Sequence, residues 1–116
     1  MPVIHLETTS DLPENASVPD ILAGLVETLC SLETIKPADV KAYHVLRSNW
    51  CMGTGAAPGF ARCEVMILEG RPETLKIKIA DAMYATLLHH FEESKSANEV
   101  NLTLEVREMA ASTYRK

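Results

Sequence analysis

The residues best placed to do chemistry stand at the start of the chain. If Met1 is removed, Pro2 becomes the first residue and its ring nitrogen a secondary amine, which can accept a proton as a general base. The run behind it, Val3-Ile4-His5-Leu6-Glu7, alternates as a strand does, so the amine would sit at the first position of a sheet, a rigid place from which to aim it. Alone, Met1-Pro2 is a weak signal, because proline also simply suits a strand's first residue. The other reactive types do not assemble. Cys30, Cys51 and Cys63 are an odd number without a Cys-x-x-Cys pair and read as reduced packing thiols. His89 and His90 are helix neighbours facing different directions. His5 and His44 are able to approach across adjacent strands, but their apolar neighbours and the lack of a third ligand favour a structural role. No nucleophile elbow, phosphate-binding glycine loop or zinc pattern occurs, so neither metal nor cofactor is expected.

The bulk properties bound what such a base can serve. With 116 residues, 47% of them hydrophobic, the chain suits one domain over residues 1–116, with one core. The net charge of -5 and the absence of a dense Lys/Arg block argue against nucleic acid and anionic membrane surfaces as partners. Apolar runs are broken by charge every few residues and the N-terminus lacks signal-peptide order, giving a cytoplasmic expectation. Small molecules and proteins remain as partners.

The elements that must hold Pro2 follow from periodicity. Residues 2–8 form the first strand. Ser17, Pro19 and Asp20 have the look of a helix start, and Ile21, Leu22, Leu25, Val26, Leu29 and Leu32 make a helical stripe over residues 18–32. Residues 40–47 alternate as a second strand, with Lys41, Tyr43, Val45 and Arg47 on one face. Residues 48–59 hold three of the five glycines and the only tryptophan, and read as a long loop. A third strand spans 60–68. Pro72 opens a long helix to about residue 94, and residues 100–107 are the cleanest strand in the sequence. Two successive βαβ units imply an α+β fold, a four-stranded mixed sheet with both helices on one face. The other face carries His5, Glu7, Lys41, Tyr43, Arg62, Glu64, Thr103, Glu105 and Arg107. It either meets water or lines the polar interior of an oligomer.

Met1-Pro2 opening the first strand, the Leu-rich first helix, Trp50-Cys51-Met52, and the passage from Phe60 through Gly70-Arg71 into the second helix together resemble the tautomerase superfamily. Within it, they are similar to the 5-carboxymethyl-2-hydroxymuconate isomerase family. The resemblance covers nearly the whole chain. It implies a homotrimer of double βαβ subunits and a cofactor-independent isomerase with the N-terminal proline as base. The substrate it implies is a small, unsaturated carboxylate of the 2-hydroxydienoate type, from aromatic compound catabolism.

The topology supports such a site. Parallel first and second strands start at one edge, bringing Lys41 near Pro2, and a third strand antiparallel to the first ends there, delivering Arg71. Nearby cations and burial both disfavour protonation of an amine, leaving a neutral base. The mechanism the resemblance implies has Pro2 moving a proton from the 2-hydroxyl to a carbon further along the conjugated chain, with Arg71 binding a carboxylate and polarising the adjacent carbonyl and Lys41 as an auxiliary anchor. Lys41 and Tyr43 stand where the family has arginines, replacing planar forks by a point charge and a phenol, so the exact substrate does not carry over with the resemblance. The chain stops at Lys116, before the usual end of the family's C-terminal segment, so walls drawn from that segment are expected to be absent. The alternative reading is a non-catalytic oligomeric binding or scaffold domain that keeps the tautomerase fold.

Overall fold

The computed structural model describes residues 1–116. Its elements are β1 (Val3–Thr9), α1 (Val18–Cys30), β2 (Lys41–Arg47), β3 (Gly59–Leu68), α2 (Glu73–His90), α3 (Glu92–Ser96) and β4 (Val100–Met109), with short 3-10 turns at Pro13–Ser17, Pro37–Asp39 and Ala111–Thr113. The sheet order is β2-β1-β3-β4. β1 runs parallel to β2 and antiparallel to β3, and β3 runs parallel to β4. The expected pair of βαβ units is therefore present.

One core lies between the sheet and the helices. Ile4 and Leu6 of β1 and Ala61, Cys63, Val65 and Ile67 of β3 meet Ile21, Leu25 and Leu29 of α1 and Ile79, Met83 and Leu87 of α2, all essentially unexposed. Each large aliphatic residue buried this way contributes roughly 1.5–3 kcal/mol before entropy is counted. Burial also pushes the Cys63 thiol up to about 12, so it packs as an inert hydrophobe. Cys51 is exposed, which corrects the reading of all three cysteines as packing residues. It lies in the loop between β2 and β3, where no core face exists to receive it.

Two local readings also change. The long second helix breaks at Phe91 (φ -111, ψ 20) instead of running on to residue 94. Turning the backbone there sinks Phe91 into the core and presents the first turn of α3 to Glu14, whose carboxylate accepts bonds from the Ser94 backbone N–H (3.0 Å) and hydroxyl (2.6 Å). His5 and His44 do not meet, because the register sets His5 opposite Tyr43 and Leu6 opposite His44, placing the two rings on opposite sheet faces. His44 instead joins a network on the helix side. Asn15 Nδ2 donates to Thr9 O, so Asn15 Oδ1 accepts the Thr8 hydroxyl proton. Thr8 Oγ1 must then accept from His44 Nε2 at 2.7 Å.

The face away from the helices is a ladder of charge. Glu7 pairs with Arg47 and Arg62, Arg62 with Glu64 at 2.6 Å, and Arg107 with Glu64 and Glu105. His5 Nδ1 contacts the Tyr43 hydroxyl at 3.0 Å, while His5 Nε2 is buried without a partner. No helix is long and apolar enough to cross a membrane.

Candidate active site

The strand directions bring four separate parts of the chain to one edge of the sheet. β1 and β2 begin there, β3 and β4 end there, and the register fixes it: Val3 lies opposite both Lys41 and Met66, and Leu68 opposite Met109. A cavity of about 350 Å³ opens at this edge, lined by Met1 and Pro2, by Thr34, Lys36 and Asp39 before β2, by Leu68, Glu69 and Arg71 after β3, and by Tyr114 and Lys116 after β4. That volume lies within the range of small-ligand sites. Pro2 itself is buried, and its carbonyl accepts the Lys41 N–H at 3.1 Å, which ties the first residues firmly to the sheet.

Arg71 is delivered by Gly70, whose φ of +116 only glycine adopts without strain, and Pro72 then starts α2. Its guanidinium is held on three sides. Nε donates to Thr34 Oγ1 at 2.8 Å, Nη2 to the Thr34 carbonyl at 3.3 Å and Nη1 to the Leu68 carbonyl at 3.1 Å. Of the five N–H groups a guanidinium owns, one on each terminal nitrogen is left over. No carboxylate approaches Arg71 within ion-pair distance, whereas Lys116 is paired with Asp39 at 3.2 Å. The lining thus holds three cations, Lys36, Arg71 and Lys116, against two carboxylates, Asp39 and Glu69, a surplus of one positive charge. A fixed, unpaired guanidinium with a free end is suited to an incoming carboxylate.

Thr34 is itself unusual. Its φ of +68 puts a β-branched residue in the left-handed region, a conformation that costs of order 1–3 kcal/mol.

The structure brings Pro2 and Arg71 together but not Lys41 and Tyr43. Their side chains share a face with His5 and Glu7, away from the helices, and neither lines the cavity. The reason is the pleat: Pro2 falls in the same face set as Ile4, while Lys41 pairs with Val3, one residue out of phase. Sequence reasoning missed Thr34, Lys36, Tyr114 and Lys116. The signal was topological, since the α1–β2 connection and the segment after β4 must both reach this edge once the strand directions are known. Tyr114 and Lys116, after β4, therefore contribute to the cavity wall.

A family model described as 5-carboxymethyl-2-hydroxymuconate isomerase matches residues 2–116. No curated protein matches the chain. Among solved structures, the chain is similar to a 5-carboxymethyl-2-hydroxymuconate isomerase from Deinococcus radiodurans R1, with 27% identity and a TM-score of 0.89 over 99% of this chain and 87% of that one. It is also similar in fold to a 5-carboxymethyl-2-hydroxymuconate delta-isomerase, at 14% identity and a TM-score of 0.84 over 100% of this chain and 87% of that one. A more distant likeness, at 11% identity and a TM-score of 0.69 over 97% of this chain and 91% of that one, is to the W0 fused 4-OT wild-type symmetric trimer.

Proposed function

This chain belongs to the 5-carboxymethyl-2-hydroxymuconate isomerase family and is an isomerase of the tautomerase type, and on that premise we propose that the Pro2 cavity is its active site. Once Met1 is removed, the nitrogen of Pro2 is a secondary amine at the cavity wall and the space filled by Met1 becomes open to substrate. Burial and the positive surplus both favour its neutral form. The amine takes the proton from the 2-hydroxyl of a 2-hydroxydienoate and returns it to a carbon further along the conjugated chain. Arg71 receives the C1 carboxylate on its two free N–H groups and stabilises the dienolate charge as it develops. No cofactor takes part.

The observation that carries this reading is the juxtaposition, in one cavity, of the buried Pro2 and an arginine with no carboxylate partner. In a homotrimer, Lys41 and Tyr43 would meet substrate across a subunit boundary, since β2 is an unpaired edge strand free to adjoin a neighbour. The similarity in fold to a protein described as a symmetric trimer supports that assembly. A substrate of this class would arise in aromatic compound catabolism.

The test is direct. Mass spectrometry of the mature protein should show loss of Met1, and ketonisation of phenylenolpyruvate, followed by absorbance, should fall at least a hundredfold in Pro2→Ala. Wild-type turnover by a chain that retains Met1 would exclude Pro2 as the base.

A further inference from the structure

The connection between α1 and β2 contains the one strained non-glycine backbone position that also touches the cavity. Thr34 offers two oxygens, Oγ1 and its own carbonyl, to the same guanidinium, at 2.8 and 3.3 Å from Nε and Nη2 of Arg71. These two nitrogens form one side of the guanidinium fork, and the pair of oxygens occupies it much as a carboxylate would. Leu68 O takes a third N–H from Nη1. Two N–H groups are left, one on Nη1 and one on Nη2, in a residue that lines the cavity. Asn98, the other non-glycine residue with positive φ (+57), ends α3, where asparagine in this conformation is an ordinary helix closure. Thr34 has no such excuse: it is β-branched, it closes no helix of its own, and asparagine or glycine would sit there more easily.

We propose that Thr34 is the positioning residue for Arg71: its hydroxyl and carbonyl clamp one side of the guanidinium so that the free pair of N–H groups faces the substrate carboxylate. The strained backbone is what brings both oxygens to bear at once. The proposal rests on the reading of Arg71 as the carboxylate anchor. It assigns no proton transfer to Thr34, which acts only through the arginine. The consequence is a specific separation of effects. Removing the hydroxyl loosens the arginine and weakens carboxylate capture, while relaxing the backbone raises stability without restoring capture.

Four Thr34 variants, each assayed for phenylenolpyruvate ketonisation, for melting temperature and for the Arg71 Nε–H resonance by NMR, test this beside Arg71→Ala, which is assayed for ketonisation alone. Thr34→Val removes the hydroxyl in a side chain of the same shape. It should raise KM about tenfold with kcat changed much less, and shift the Nε–H signal toward that of a solvent-exposed arginine. Thr34→Ser, which keeps the oxygen, should return KM to within about threefold of wild type. Thr34→Ala and Thr34→Gly should both show the raised KM, yet the glycine variant should melt above the alanine variant, because glycine accepts the left-handed backbone without strain. Arg71→Ala separates the failures. If Arg71→Ala is impaired while Thr34→Val has a wild-type KM and an unmoved Nε–H signal, the positioning role is overturned and the anchor reading stands. If Arg71→Ala matches wild type, the anchor reading falls and this inference with it. Should Thr34→Val fail to fold, the Ser, Ala and Gly variants decide the matter by the same readouts.

Discussion

Replacing Arg71 by lysine and by alanine asks how much of transition-state stabilisation depends on a fork and how much on charge. In the structure the guanidinium spends three N–H groups on Thr34 and Leu68 and keeps two free, one on each terminal nitrogen. Hydrogen bonds involving a charged group contribute about 1.5–3 kcal/mol each. Lysine keeps the charge but offers a single rotating ammonium on a shorter reach, so one of two bonds to the carboxylate is lost, and kcat/KM should fall roughly 10- to 150-fold. Alanine loses both bonds and the charge, about 3–6 kcal/mol, or on the order of 10²- to 10⁴-fold. Stability should move much less. The Leu68 and Thr34 carbonyls lose a donor beside a cavity that water can enter, so Arg71→Ala should cost only about 1–2 kcal/mol, a drop of several degrees in melting temperature for a chain of this size. The assay is steady-state ketonisation of phenylenolpyruvate beside thermal unfolding of the same samples. An alanine variant within threefold of wild-type kcat/KM, in a protein whose Pro2→Ala variant is inactive, would refute the carboxylate-anchor reasoning.

The remaining predictions concern the fold that holds the site. Burial lowers the pKa of both His44 and His90 from the usual 6.5, so each holds a proton less readily when folded than once unfolded. Their contribution to stability is thus complete above pH 6.5 and is lost as pH falls from there toward the folded values; urea midpoints should drop between pH 7.5 and 5.5, and His44→Gln should flatten that slope. Gly59→Ala would put a methyl carbon 2.6 Å from Thr9 Oγ1 and 2.7 Å from both Asp11 carboxylate oxygens, where Thr9 is buried and accepts the Phe60 N–H. Overpacking there should cost roughly 1–3 kcal/mol by denaturant titration, with kcat unchanged because Gly59 begins β3 at the edge opposite the cavity.

Much of the architecture was legible along the chain because it depends on local periodicity. The alternation at residues 2–8, 40–47, 60–68 and 100–107 lies within two residues of each strand's observed ends, and the stripe from Ile21 to Leu29 is the buried face of α1. Where the reading slipped, a long-range contact had won over local preference. Nothing near Phe91 in sequence announces the helix break, which is stabilised by Glu14, 80 residues away from Ser94. Cys51 and Cys63 are the same residue type, and only their distance from a sheet face makes one exposed and the other inert.

For the site, the sequence by itself determined the chemical kinds: a proline that can head the chain, an arginine placed by Gly70 and Pro72 at the mouth of the second helix, and strand directions that send both to one edge. The tertiary structure decided which neighbours share the cavity. Pleat phase, a two-residue periodicity read from backbone pairing, turned Lys41 and Tyr43 to the far face, while the α1–β2 connection and the segment after β4 brought Thr34, Lys36, Tyr114 and Lys116 to Pro2. Periodicity is a property of neighbours in the chain and can be read from it. Which side of a sheet a charge ends on, and what an unusual backbone angle at Thr34 holds in place, depend on contacts made only when the chain closes on itself.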